Sequence, residues 1–473
     1  MTKSAQPEED IWAGDLLGRK AEGDYLRRYI ERLYDFDKDH QASFVLNINS
    51  EWGHGKTWFL KSLCKELRQN RPVIYFDAWK NDFSKDALLS FVSVVCDELA
   101  KIFWKDNAVS QKVAKVKATF SLVGKNALPI LLAVLSKQLT GRSLEDLGLI
   151  DDAKDMFADI SDQLSRVVGP SMIDGFINQR NAINDFSRAI GSLVDEIDKS
   201  SDFHLPICIL IDELDRCRPT YAIELLEAIK HLFSVRGVFF IVATDSSQLA
   251  HSIRAVYGSG FNANSYLKRF FSAEYVLATP DYNQFSDFLF LGSNFSESVI
   301  LPGSRMACEG FFSCCSEFFQ LSLRDQEQIF GILKVVLLAN EKNKYHFPFL
   351  LLLIILRHKF IDSYVRLKIN PLFSSFQKML NDLLGNGNCK DLGITIWQDD
   401  GSTGEHILLT HIFYFYMKLA EMDFNGNVSY SQLNPGARFE KTILASVTNN
   451  VFSHTKKFSE YFSLVDQAGR FVS

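Results

Sequence analysis

Three short stretches of the chain combine residue types suited to phosphate, a divalent cation and a proton. Ser50-Glu51-Trp52-Gly53-His54-Gly55-Lys56-Thr57 fits the pattern GxxxxGK[ST] at every specified position but the first, where Ser50 stands for glycine. Such a loop wraps a phosphate in backbone amides, so side chains must be absent where it turns most tightly. Gly53 and Gly55 supply that freedom. Lys56 has the reach to meet β- and γ-phosphate oxygens, and the Thr57 hydroxyl suits Mg²⁺. A helix following Lys56 would add its positive N-terminal end. In the second stretch, five apolar residues at 207–211 run into Asp212-Glu213. A carboxylate at the tip of a buried strand, here Asp212, can hold a Mg²⁺ ion through its water shell. The next acid, Glu213, can orient or deprotonate an attacking water. Third, an apolar run at 238–243 ends in Thr244-Asp245. A polar group there can sense a γ-phosphate or cap the next helix, and the two roles are compatible. The set points to a nucleoside triphosphate, with ATP as the default, and Glu213 favours hydrolysis over binding alone.

Strands are expected at 44–48, 73–76, 207–211 and 238–243, because each is a short apolar run bounded by turn or charged residues. Helical spacing of apolar residues recurs at 15–33, 58–67, from the DAWKND segment to about 103, at 183–197 and at 221–233. Buried strands alternating with helices give an α/β fold with a parallel sheet. The expected organisation is a tail at 1–14, a core at 15–280 with a helical insertion at about 82–200, a helical lid-like domain at 281–384, and a small mixed or helical region at 385–473. Residues 386–404 (NGNCKDLGITIWQDDGSTG) read as a loop rich in Gly, Asn and Asp.

Bulk properties narrow the alternatives. The chain has 473 residues, 47% apolar and 23% charged, which excludes wholesale disorder. A net charge of -6 argues against a uniformly basic coat, so nucleic acid is possible as a partner but not indicated. The eight cysteines form no CxxC pair, which suits reduced thiols and a cytoplasmic location. The N-terminus is polar and acidic, unlike a signal peptide. The apolar runs at 126–136 and 347–356 are about half the roughly 20 residues of a membrane span, so a membrane partner is not expected. No HExxH or zinc-deaminase pattern occurs, and Glu405-His406 with His411 reads as a surface cluster. The competing functional classes are a membrane-associated nucleotide-binding scaffold and a nucleic-acid-stimulated ATPase. The forty Phe residues crowd the second half, where they form either a core or an interface.

The chain resembles the KAP P-loop NTPases, a family within the additional-strand ATPases. The resemblance rests on INSEWGHGKTWFL, VIYFDAWKND, ILIDELDRCRPTYAIELLEAIKHLF, VFFIVATDSSQLAHSIRAVYG, SYLKRFF and LSLRDQEQI, in that order over roughly residues 12–370. Two positions depart from the family pattern: Ser50, and Glu213 where the family often has Asp. The 155-position separation of Thr57 and Asp212 fits the insertions that such proteins carry. The resemblance implies Gly18-Arg19 near the adenine base, Arg269 (with Lys268) as a finger for a neighbouring subunit's γ-phosphate, and Arg324 as a lid-domain sensor. It implies a homo-oligomer or a hetero-complex, similar to bacterial anti-phage defence ATPases, with any effector in a separate chain. Two readings concern residues near the loop: Arg216 and Arg218 are expected to salt-bridge within the switch loop, oriented by Asp215, and Trp79 is expected in the core.

Overall fold

The computed structural model describes residues 10–36, 43–84, 86–123, 170–200, 203–232, 235–291, 293, 299–300, 308–339, 344–369, 373–385, 392–397, 404–424, 435, 439–441, 443–444 and 457–470. The apolar run at 126–136, most of the tail and much of the 386–404 segment lie outside these residues. The chain divides once, after Ala278, into two compact units.

In the first unit, α1 (Arg19–Phe36) begins where the Asp15 carboxylate accepts from the N–H groups of Leu17, Arg19 and Lys20 at 2.8–3.2 Å. The chain continues through β1 (Phe44–Asn49), α2 (Lys56–Leu67), β2 (Val73–Asp77), α3 (Ala78–Asn81), α4 (Ala87–Ile102), α5 (Asn107–Val123) and α6 (Pro170–Ser200). Then come β3 (Ile207–Asp212), a 3-10 turn (Leu214–Arg216), α7 (Pro219–Leu232), β4 (Val238–Thr244), α8 (Ser246–Tyr257), α9 (Ala263–Leu267) and β5 (Ala273–Val276). The five strands form one parallel sheet in the order β2-β3-β4-β1-β5. β4 therefore stands between the strand that leads into the phosphate loop and the strand that ends in Asp212.

Side-chain alternation along the strands supplies two apolar layers. Leu46, Ile48, Cys208 and Leu210 pack with Leu26, Ile30, Phe59 and Leu63 on one face. On the other face, Val45, Ile209 and Ile211 pack with residues of α4 to α8 such as Phe91, Leu193 and Leu225. β3 and β4 are buried along their whole length, which is why they read as unbroken apolar runs. The short strand β5 alternates half-buried and exposed residues at the sheet edge, and no apolar run announces it.

One buried acid joins two helices of this unit. Glu227 on α7 accepts from Tyr266 Oη on α9 at 2.8 Å, and burial pushes its carboxyl up to about 7. A carboxyl raised in the folded state binds more protons there than in the unfolded chain between its ordinary value and about pH 7. Stability from this site is thus full below the ordinary carboxylate value and is lost as pH rises through 7. Glu227→Gln keeps the acceptor for Tyr266 and removes that slope. The variant should exceed the parent in stability by about 3 kcal/mol at pH 8, with little difference at pH 4.5, in paired denaturant titrations.

The second unit contains α10 (Tyr282–Phe290), β6 (Val299–Ile300), α11 (Cys308–Phe318), α12 (Leu323–Ala339), β7 (Tyr345–His346), α13 (Phe347–Lys359), α14 (Ile361–Ile369), α15 (Phe373–Gly385), β8 (Gly393–Trp397), β9 (Gly404–Leu408), α16 (Leu409–Phe424) and α17 (Phe458–Ala468). Residues before and after position 385 share one apolar cluster, built around the wholly buried run at 347–356 of α13. Most described Phe side chains of this half, including Phe311, Phe349, Phe376, Phe413 and Phe458, lie in that core. The segment read as a loop at 386–404 instead contributes β8, which pairs antiparallel with β9 from Gly393↔Leu408 to Trp397↔Gly404. His411 faces Glu440 at 3.2 Å as a surface pair. Among the described residues, no helix is long and apolar enough to cross a membrane.

Candidate nucleotide site

All five strands run the same way, so β1, β3 and β4 deliver their C-terminal residues to one edge, and Asn49 and Thr244 stand in register. Open parallel sheets place ligands at that edge. The phosphate loop leaves β1 there, with Ser50 N–H donating to Thr244 O at 3.1 Å. Gly53 and Gly55 both take positive φ, 83° and 81°, and Gly55 is the left-handed cap from which α2 starts. A Cβ at Gly55 would be strained by that φ and would meet Leu17 Cδ1 at 3.2 Å.

Lys56 opens α2 and is 9% exposed; its Nζ donates to Ser50 O at 2.5 Å and Glu51 O at 3.0 Å. Burial pulls its amine below the ordinary lysine value. The Thr57 hydroxyl donates to Glu213 Oε1 at 3.1 Å, although 156 positions separate the two. Asp212, 1% exposed, accepts from Tyr75 Oη at 2.7 Å and from Glu213 N–H at 2.9 Å. Burial raises the carboxyls of both Asp212 and Glu213; the Asp212 charge raises Glu213 further, and Asp215 adds to both by like charge. Glu213 adopts φ 61°, a conformation that non-glycine residues rarely take and that is common at functional sites.

Asp215 and Asp245 tie this edge together. Asp215 Oδ2 accepts from Trp52 Nε1 at 2.8 Å and from Asp245 N–H at 2.6 Å. Asp245 caps α8 through Oδ1, which accepts from the Ser247 and Gln248 amides, while Oδ2 accepts from Trp52 N–H at 3.2 Å. Asp245 is therefore a cap and a clamp on the phosphate loop at once. Thr244 Oγ1 donates to Asn47 Oδ1 at 2.7 Å inside the sheet.

Several expectations change. Asp215 does not orient the two arginines: Arg216 Nε pairs with Glu213 Oε2 at 2.5 Å, and Arg218 Nε with Asp82 Oδ1 at 2.8 Å. Trp79 is not core; it is 57% exposed, with the Arg216 guanidinium 6.0 Å from its ring centroid. Arg19 is 1% exposed, and its guanidinium donates to Glu22, Ala278 O and His54 O, which ties α1 to the loop. The His54 imidazole is held below its ordinary value by burial. Glu51 and Trp52 are exposed. Arg269 and Lys268 are exposed between α9 and β5, and Lys230 Nζ donates to Arg269 O. Since Ser272 N–H donates to Val45 O near the start of β1, Arg269 sits at the N-terminal edge of the sheet, opposite the phosphate loop. Arg324 is exposed in the first turn of α12, in the second unit.

The expected switch-loop salt bridge of Arg216 is present, to Glu213, while sequence reading missed Tyr75 as a partner of Asp212 and Asp215 as a partner of Trp52. Tyr75 lies on β2, whose register sets Asp77 opposite Asp212, but nothing in the local sequence marks its hydroxyl as a donor.

The oxygen donors fit Mg²⁺ better than a softer ion. A hydroxyl and one carboxylate are the protein share usual for Mg²⁺, which takes its other ligands from water and phosphate. Among the described residues no group of three or more His, Cys, Asp or Glu forms a metal cluster, and this arrangement requires none.

The KAP family P-loop domain matches residues 26–335, a span that contains the loop, Asp212, Glu213 and Arg269. The chain belongs to the KAP P-loop NTPase family. Two structures of the Aeropyrum pernix ORC2 protein are similar to the chain. The form with ADPNP and ADP is 10% identical, covering 99% of this chain and 88% of that one at a TM-score of 0.32. The ADP form is 11% identical over the same shares, with a TM-score of 0.28. No curated protein matches the chain. The matched span includes the whole edge just described, from the phosphate loop to the acids that end β3 and follow β4.

Proposed function

We propose that this KAP protein is a Mg²⁺-dependent ATPase whose cycle switches an assembly. The observation that carries the reading is the convergence of Thr57, Asp212 and Glu213 beside the Gly53–Gly55 turn. The amides of the turn and the first turn of α2 bind phosphate oxygens, and Lys56 leaves the loop carbonyls to meet them. Thr57 and Asp212 would hold a Mg²⁺ ion, which would supply neutralisation of the charge that develops on the phosphate. Glu213 takes one proton from a water as its oxygen bonds to the γ-phosphorus and the bridging oxygen leaves with ADP. Titration of a fluorescent ATP analogue with and without Mg²⁺ tests this. Asp212→Asn should remove the Mg²⁺ dependence of binding, and an equal dependence in the variant would sink the metal assignment.

The assembly is part of the same proposal. Arg269 stands at the sheet edge opposite its own phosphate loop, so it serves a site on another copy rather than its own. Arg269→Ala should bind ATP normally and hydrolyse it at least tenfold more slowly. Mixing it with Lys56→Ala should restore turnover. Failure of the mixture to recover, with specific activity independent of protein concentration, would remove the trans model.

The family resemblance supports a finer role as a regulatory or sensing component of a bacterial, cytoplasmic anti-phage defence complex whose effector is a separate chain. Co-purification from infected and uninfected cells, with Glu213→Gln to hold the ATP-bound state, tests that role. An identical set of co-purifying proteins in both would count against it.

A further inference from the structure

Both oxygens of the Glu213 carboxylate are engaged. Oε1 accepts from Thr57 Oγ1 at 3.1 Å, and Oε2 lies 2.5 Å from Arg216 Nε. The 3-10 turn Leu214–Arg216 brings Arg216 back over Glu213, and that turn begins with Glu213 itself in left-handed backbone. Beyond the pair lies an exposed aromatic surface. Trp79 follows Asp77 at the end of β2, and Phe83 nearby in sequence is 86% exposed. The Arg216 guanidinium thus lies between a catalytic-site carboxylate and an aromatic ring at the surface.

A general base must aim one oxygen at the water that it deprotonates. An oxygen held 2.5 Å from a guanidinium nitrogen is taken up by the cation instead. We propose that Arg216 is a positioning residue that holds Glu213 in reserve, and that hydrolysis requires Arg216 to leave Glu213 for the Trp79 face. The inference rests on the ATPase reading above and specifies how that same site is restrained. The pair lies on the 3-10 turn outside the strands, so it can open without breaking a bond of the sheet. The Trp79 ring, whose centroid is already 6.0 Å from the guanidinium, can keep the cation once it leaves Glu213, because an arginine over an indole face is stabilised by the ring quadrupole.

The test uses the full chain with Arg216→Ala, Arg216→Lys, Trp79→Phe and Arg216→Ala/Glu213→Gln. Binding of a fluorescent ATP analogue with Mg²⁺ is measured first. If the parent binds none, the ATPase reading fails and the latch with it. With binding intact, Arg216→Ala should raise kcat about three- to tenfold while KM stays within about twofold, because only the reserve on Glu213 is lifted. Arg216→Lys, which keeps the cation, should bring kcat back towards the parent value. The double variant should be as slow as Glu213→Gln alone. A kcat for Arg216→Ala at or below the parent's would overturn the proposal, since Arg216 would then be aligning Glu213 productively. Tryptophan emission without nucleotide gives an independent reading. The difference between parent and Trp79→Phe spectra should change when Arg216 is removed. An unchanged difference would place Arg216 away from Trp79 and overturn the seat assigned to it.

Discussion

Replacing Lys56 by alanine is expected to weaken ATP binding more than a hundredfold. The amine is the one cation that opens α2 beside the turn, and its present acceptors, Ser50 O and Glu51 O, are loop carbonyls that a phosphate can replace. Losing a charge-assisted contact to phosphate in so enclosed a place costs about 3 kcal/mol, which is the hundredfold stated. The variant also leaves two carbonyls without a donor, so a stability loss of about 1 kcal/mol should accompany it. Calorimetric titration with ATP and Mg²⁺, beside a melting curve, separates the two effects. Unchanged affinity in a folded variant would refute the phosphate-loop assignment.

Glu213→Gln should keep ATP-Mg²⁺ affinity within a few-fold and lose about 10²–10⁴ of turnover. Gln is nearly isosteric, and the surroundings accommodate it. Its carbonyl can stay beside the Arg216 guanidinium, while its amide donates to Thr57 Oγ1, whose hydroxyl reverses role. Neither contact forces the backbone to move, so a lost turnover would report the missing proton acceptor. Single-turnover measurement of phosphate release decides the matter. Turnover equal to the parent's would transfer the base role away from Glu213.

Much of the site was legible because its parts are local. The loop, the buried β3 run that ends in Asp212, and the β4 run that ends at Thr244 each fit within a few residues, and each imposes its own strand or helix. The expected parallel α/β sheet follows from those same runs, and the sheet order confirms the strand added between β1 and β3. What stayed hidden depends on contacts between distant positions. Trp52 meets Asp215 across 163 positions, and Arg19 meets Ala278 O across 259, so neither pairing leaves a local signature. Trp79 looked like core by residue type, yet it falls on a four-residue helix just outside the sheet, where little packs over it. β5 and β8 escaped notice for a different reason. β5 is four residues long at an edge, and β8 is embedded in Gly- and Asp-rich sequence that usually marks loops.

The double duty of Asp245 has a thermodynamic consequence. One carboxylate oxygen fixes the start of α8 and the other fixes the Trp52 amide, so helix and loop cannot shift independently without breaking a bond. If a ligand shifts the loop, the same carboxylate carries the shift to the start of α8. Linkage then demands reciprocity: if nucleotide changes the affinity of this edge for another molecule by some factor, that molecule changes the affinity for nucleotide by the same factor.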